Sequence, residues 1–146
     1  MTFLVERLAE VRRHVDHLRE IRTRVTSPQQ LQADLTLHND VMFSLLTVCQ
    51  AVIDSSGELA GRRGVRFQDY NGAIRALAEV PGVPHGLVNQ LLPLAGFRNV
   101  LVPEYHEYVE LDYNRVITAM DALEPVDAFI KVVAAIDASA PNRDRS

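Results

Sequence analysis

The spacing of apolar residues at the start of the chain constrains the fold more than any other feature of the sequence. Between positions 4 and 25 they recur every three or four residues, at Leu4, Leu8, Val11, Val15, Leu18, Ile21 and Val25. This repeat matches one face of an α-helix, which turns once per 3.6 residues. A half-buried strand needs strict alternation, and no segment of the chain alternates for long enough to predict one. The pattern therefore predicts an all-α fold.

Helix-start and helix-break signals divide the rest of the chain. Ser27 followed by Pro28 is typical of a capped helix start, and Asp112 is a second N-cap candidate. Pro93 is expected to kink the fourth helix, and Pro125 to bend or split the last. The five predicted helices carry their apolar residues over positions 4–25, 31–53, 74–80, 87–94 and 116–136.

These helices predict an up-and-down bundle of four to five helices. A chain of 146 residues is one domain by length and is long enough to bury a core without disulfides. We expect the helical domain to span residues 1–138. The polar residues 139–146 are expected to form a disordered tail.

Composition narrows the cellular setting and the classes of partner. The single cysteine, Cys49, excludes a disulfide framework and gives no zinc-site spacing, which fits a reducing cytoplasm. The N-terminus becomes charged too early for a signal sequence, and no apolar run is expected to approach a membrane span. The net charge of −4 argues against a general nucleic-acid coating protein, although a small anion-binding site remains compatible with it.

The run from Gly96 to Tyr105 places an arginine and an asparagine side by side in an otherwise apolar helix. Burying part of an arginine is costly unless its guanidinium meets an anion or several acceptors. From the residues alone, two readings of Arg98 and Asn99 stay open. In one, Arg98 bonds helix carbonyls or a surface carboxylate and Asn99 caps a helix end. In the other, both side chains form a functional site.

The same run resembles the signature of the HEPN superfamily, specifically its HepT-like branch, which reads Arg-Asn-x-Leu-Val-His-x-Tyr. The chain matches this signature at Arg98, Asn99, Leu101, Val102 and Tyr105, and carries Pro103 where the family has histidine. The resemblance implies a metal-independent endoribonuclease without a cofactor, in which the arginine holds the scissile phosphate and the asparagine orients the site. It also implies a homodimer with two motifs facing each other, and a toxin paired with a minimal nucleotidyltransferase antitoxin.

Pro103 is the one departure from the family signature, and three explanations for it stay open. The protein is a non-nucleolytic relative that keeps its partner-binding role, or an inactivated toxin, or an enzyme in which His106 substitutes for the missing histidine. Proline has no titratable group and no N–H, and it disfavours helical geometry at the residue before it. The His106 explanation is the least favoured, because its spacing from Arg98 exceeds the family pattern.

Tyr105 occupies the last position of the signature. The resemblance implies that the partner nucleotidyltransferase attaches AMP to this tyrosine, which would silence the site by adding bulk and negative charge beside Arg98. From the residue alone, the favoured interpretation of Tyr105 is an amphipathic tyrosine at the bundle surface.

Two further groups of side chains are candidate binding sites. His14 and His17 share a face of the first helix and, with His38, suggest a metal site, but the Glu-x-x-His spacing of di-iron bundles is absent. We predict no metal and interpret them as a solvated polar face. For the basic loop formed by Arg62, Arg63 and Arg66 we expect a solvated surface or pairing with a neighbouring carboxylate, and an electrostatic guide for RNA is the alternative.

Overall fold

The computed structural model describes residues 3–101 and 111–139. Within those ranges the regular elements are all helices and no strand is present, so the predicted all-α fold is confirmed. The helices are α1 (Phe3–Arg22), α2 (Pro28–Ala33), α3 (Leu35–Arg62), α4 (Tyr70–Arg75), α5 (His85–Leu101), α6 (Tyr113–Asp121) and α7 (Glu124–Ser139), and a 3₁₀ turn (Ala76–Glu79) follows α4.

Helix α3 is the central element of the bundle. It packs against α1, α2, α4 and α5, and α1 also packs against α6 and α7. The seven apolar residues of the first repeat are all at most 6% exposed, as the helical spacing predicts. Burying a large aliphatic side chain contributes about 1.5–3 kcal/mol, so this stripe fixes α1 against its neighbours.

The predicted caps are confirmed. The Ser27 side chain accepts a hydrogen bond from the Gln30 amide at 3.0 Å, and Pro28 occupies the first helical position. The Gln30 side chain accepts in return from the Thr26 amide at 2.7 Å. The Asp112 carboxylate accepts from the Asn114 amide at the start of α6. Each cap satisfies N–H groups that have no partner inside the helix.

Two predicted helices are divided in the structure, which raises the helix count above five without changing the fold class. Asp34 leaves helical geometry, and its carboxylate accepts from the Leu37 amide at 3.1 Å, so α3 has a start of its own after α2. The last predicted helix is split between Asp121 and Glu124, as the proline at position 125 led us to expect. Helix α5 continues through Pro93.

Helix α3 is the one described helix that is long and apolar enough to cross a membrane, with a mean hydropathy of 1.2 over 18 residues. Length and composition alone are weak evidence of a span, because core helices have the same properties. In the structure, 44% of that window is buried, and four other helices pack on α3. Its apolar composition is therefore accounted for by its place in the core.

The predicted domain boundary at residue 138 falls one position before the end of α7 at Ser139. Residues 140–146 lie outside the described residues, so the disordered tail at 139–146 stays a prediction.

Candidate functional site

Arg98 lies in the last turn of α5, where this helix packs between α3 and α4. Its predecessor Phe97 is 4% exposed and anchors that turn in the core. The next position along a helix is rotated by about 100°, so the Arg98 side chain leaves the core at its edge and is half-buried. The chain thus places a cation at the junction of three helices.

Two neutral groups orient the Arg98 guanidinium. Its Nε donates to Oε1 of Gln50 on α3 at 3.0 Å. Its Cζ lies 4.6 Å from the centre of the Tyr70 ring at the start of α4, within the range of a cation–π contact. A hydrogen bond to α3 and a cation–π contact with α4 thus hold the guanidinium from two different helices.

Gln50 is itself held by a charged pair. Its amide Nε2 donates to Oδ1 of Asp54 at 2.9 Å, one turn further along α3. Asp54 in turn accepts from Arg7 on α1 at 3.3 Å through its other oxygen. Because Asp54 accepts and does not donate when ionised, it turns the NH₂ of the amide towards itself and the Gln50 carbonyl oxygen towards Arg98.

Asn99 is exposed on the outer side of α5. Its Oδ1 lies 3.4 Å from an Arg98 guanidinium nitrogen, which is a long and weak hydrogen bond. Asn99 lies in the last described turn of α5, two residues before Leu101. The structure therefore places Arg98 and Asn99 together at an accessible edge of the bundle, as a site requires.

The rest of the signature falls outside the described residues. Pro103, Tyr105 and His106 lie in the range 102–110. Their roles therefore stay predictions: Pro103 as the position of the missing histidine, Tyr105 as the AMP acceptor, and His106 as a weak substitute for that histidine.

No local sequence pattern identifies the residues that hold Arg98. Gln50 is 48 positions from Arg98, and Tyr70 lies in a different helix, so no local spacing connects them to the signature. One signal was present. Gln50 and Asp54 are polar residues one turn apart within an apolar run of α3, and polar side chains in such a run require partners.

The three histidines weighed as a metal site are engaged separately. The His14 ring bonds Ser44 and Glu10, each at 2.9 Å, and His17 bonds Asp40 at 2.9 Å. The third, His38, contacts the Tyr113 hydroxyl at 3.1 Å. In residues 3–101 and 111–139, no three His, Cys, Asp or Glu side chains are arranged to hold a metal ion.

The predicted basic loop is only partly available for binding. Arg62 lies at the end of α3 and pairs with Glu58 at 3.3 Å and with Asp137 of α7 at 3.0 Å. Arg63 and Arg66 are exposed. One of the three arginines thus ties α3 to α7, and the other two point away from the core.

Comparison with protein families identifies one match. The chain fits the family model described as ribonuclease HepT-like over residues 11–133, which is most of its length. A search of curated proteins finds no match.

Comparison with solved structures finds close likeness in fold. A tri-AMPylated HEPN toxin of Shewanella oneidensis, solved in complex with an MNT antitoxin, is 24% identical, with a TM-score of 0.76 over 92% of this chain and 99% of that chain. A toxin–antitoxin complex with AMP-PNP is 22% identical, with a TM-score of 0.73 over 91% and 99%. A mutant form of the MntA–HpeT toxin–antitoxin pair is 20% identical, with a TM-score of 0.77 over 92% and 99%.

Proposed function

Because the chain belongs to the ribonuclease HepT-like family, we propose that it is the toxin of a toxin–antitoxin pair acting on RNA in the cytoplasm. The reaction that we assign to its site is metal-independent endonucleolytic cleavage, with RNA as the substrate and no cofactor. Three solved structures of the same fold are described as toxins or toxin–antitoxin pairs, which supports the proposal.

The observation that carries this proposal is the geometry of Arg98. A guanidinium whose Nε is bonded to Gln50 and whose Cζ lies 4.6 Å from the centre of the Tyr70 ring is held in place before a ligand arrives. A scissile phosphate gains negative charge on its equatorial oxygens in the transition state, and a preorganised cation stabilises that charge. In this role Arg98 binds the phosphate, and the exposed Asn99 beside it orients the RNA.

Pro103 removes the group that would move a proton. Cleavage of RNA by its own 2′-hydroxyl requires that this hydroxyl lose a proton as it attacks phosphorus. The family histidine serves that step by resemblance, and a positioned proton-transfer group contributes about 10²–10⁴-fold in rate. With proline at this position, we propose that the protein retains phosphate binding and has lost most of its cleavage activity.

The same departure favours one alternative function. A chain that keeps the Arg98 site and the fold but lacks the proton-transfer group would serve as a non-catalytic helical partner subunit of a minimal nucleotidyltransferase. Substitution by His106 is the remaining route to activity and predicts that cleavage depends on that residue.

We also propose that two copies of the chain form a homodimer across the Arg98 site. Phe43 is 65% exposed on α3 and lies seven residues before Gln50, which is two helical turns along the same face and about 10 Å away. On α5, the half-buried residues Leu94, Val100 and Leu101 lie on either side of Arg98 in sequence. An apolar surface beside a small polar site fits a two-fold interface that would bring two Arg98 side chains into one groove.

The proposed partner is a minimal nucleotidyltransferase that modifies Tyr105. The Shewanella oneidensis toxin of the same fold is described as tri-AMPylated and in complex with its MNT antitoxin, which supports the assignment. An adenylyl phosphate on Tyr105 would compete with RNA for Arg98, since both present a phosphate to the same guanidinium. Tyr113 is a poorer acceptor because its hydroxyl already contacts His38 at 3.1 Å.

Expression in growing cells tests the function. Pro103→His should arrest growth and degrade RNA, whereas the unaltered chain should do neither. Adding Arg98→Ala to Pro103→His should restore growth, because phosphate binding and proton transfer act as a unit.

Two other outcomes are informative in this experiment. If Pro103→His stays harmless although folded, the non-catalytic partner subunit becomes the better description. If the unaltered chain already arrests growth and His106→Ala abolishes this effect, His106 is the proton-transfer residue.

A further inference from the structure

The stretch from the end of α3 to the end of α4 concentrates positive charge in an otherwise acidic chain. Residues 61–75 contain four arginines and one aspartate, a formal charge of +3, whereas the whole chain carries −4. Arg62 is engaged by Glu58 and Asp137. Arg63, Arg66 and Arg75 are exposed, and no side-chain partner for them is found among the described residues. Three of these four charges are therefore directed to solvent.

An exposed aromatic ring lies in the middle of this charge. Phe67 is 43% exposed, directly after Arg66. A Cβ placed on Gly57 of α3 would lie 2.8 Å from the tip carbon of the Phe67 ring, and 3.5 and 3.6 Å from the two carbons on either side of the tip. The ring therefore meets α3 with its tip, and at 43% exposure part of the side chain remains accessible to a ligand. Glycine at position 57 is what permits this approach.

The segment leads directly to the Arg98 site. Asp69 caps α4 by accepting from the Gly72 amide at 2.6 Å, which fixes the start of the helix. Tyr70 then begins α4, and its ring lies beneath Arg98. Phe67 is three residues before Tyr70, so at most about 10 Å of chain separates the two aromatic residues. Phe67 also meets α3 at Gly57, which lies seven residues and about 10 Å along the helix from Gln50, the partner of Arg98. The exposed ring and the arginine therefore lie near the same side of α3.

We propose that residues 63–67 form a subsite for single-stranded RNA next to the phosphate held by Arg98. An unpaired base stacks on Phe67, while Arg63 and Arg66 contact the phosphates on either side of that nucleotide. The inference rests on the proposed function, because it extends the ligand of the same site.

Single-stranded RNA fits this surface better than the alternatives. An acidic protein would satisfy the arginines without using an exposed ring face, whereas unpaired RNA presents both a phosphate and a flat base. A duplex keeps its bases stacked on one another and offers none to Phe67. The order Arg63, Arg66, Phe67 supplies both kinds of contact within five residues.

Fluorescence anisotropy with a short labelled single-stranded RNA tests the subsite in the full-length chain. Arg63→Gln with Arg66→Gln should weaken binding on the order of tenfold and reduce the slope of log K against log salt by about 1.4, since each phosphate contact on a single strand contributes about 0.7. Phe67→Leu keeps an apolar contact with Gly57 and removes the ring faces, and should weaken binding on the order of tenfold with little change in slope.

A matched control separates this subsite from general charge. Arg12→Gln with Lys131→Gln also removes two positive charges, but from exposed positions on α1 and α7. It should change the affinity for RNA by less than about twofold. Equal losses in the control and the loop variants would overturn the inference. Thermal unfolding of every variant checks the fold, and the two arginine substitutions provide a test that is independent of packing at Phe67.

Activity in the Pro103→His background distinguishes failure of the subsite from failure of the proposed function. If that variant cleaves RNA and the loop substitutions change neither cleavage nor binding, the subsite is wrong and the function stands. If the loop substitutions weaken RNA binding while Pro103→His stays inert, the subsite stands and the nuclease proposal fails. If they weaken only the complex with a nucleotidyltransferase, the surface is a protein-docking site and the inference is overturned.

Discussion

Replacing Gln50 by leucine should loosen Arg98 and cost stability that depends on Arg98 being present. The substitution keeps a side chain of similar size and removes the hydrogen bonds to Arg98 at 3.0 Å and to Asp54 at 2.9 Å. Hydrogen bonds to charged groups contribute about 1.5–3 kcal/mol each when buried. All three side chains are half-buried here, so water replaces part of each bond. We therefore expect Gln50→Leu to reduce the free energy of unfolding by about 1–2 kcal/mol.

A double-mutant cycle isolates the Gln50–Arg98 contact. Arg98→Met keeps an unbranched stem near Tyr70 and removes the charge, and the cycle with Gln50→Leu should give a coupling energy of about 1 kcal/mol. Urea unfolding followed by circular dichroism measures each term, with protomer concentration held constant because dimerisation contributes to stability. Gln90→Leu on the exposed side of α5 is the control and should show no coupling. Additive effects of Gln50→Leu and Arg98→Met would refute the contact.

The same change should affect catalysis where catalysis exists. In the Pro103→His background, Gln50→Leu should lower kcat on the order of tenfold, because Arg98 keeps its charge but loses its orientation. Gln50 is a positioning residue in this view. An unchanged kcat in a variant with the expected loss of stability would show that Gln50 is only structural.

Three further predictions concern the interface, the modification and the core. Phe43→Asp should convert a dimer of about twice 16.3 kDa into a monomer in sedimentation at micromolar concentration. Leu35→Asp changes a similarly exposed residue at the start of α3, about 12 Å from Phe43 and about 22 Å from Gln50 along the helix, and should leave the mass unchanged. A wild-type monomer contradicts the interface. Incubation with the partner nucleotidyltransferase and ATP should add AMP to a peptide containing Tyr105, and modification that persists in Tyr105→Phe shows that another residue is the acceptor. Burial raises the pKa of Cys49 to about 12 from 9.0, so the thiol should react with iodoacetamide only after unfolding, and its contribution to stability should fall as pH rises through that interval; rapid labelling of the folded chain contradicts this.

Local signals in the sequence predicted the elements well. The apolar stripe of α1 and the caps at Ser27 and Asp112 depend on residues within a few positions of one another, and each is found as predicted. The start of α3 at Asp34 was missed, because the apolar spacing continues across it and hides a cap.

The candidate site could be predicted from the sequence only in part. The signature selected Arg98 and Asn99, and the structure places them together at the bundle edge. Gln50 on α3 and Tyr70 on α4 contact Arg98 only through tertiary packing, so no spacing along the chain predicts these contacts.

The rate of RNA cleavage by purified Pro103→His, relative to the unaltered chain, tests the central claim most directly. The assay uses single-turnover conditions with a chelator present, so that contaminating metal-dependent ribonucleases are inactive. We predict a rate increase of about 10²–10⁴-fold, abolished again by Arg98→Ala. A folded, dimeric Pro103→His protein that cleaves no faster than the unaltered chain would contradict the assignment of this site as a ribonuclease centre that has lost its proton-transfer group.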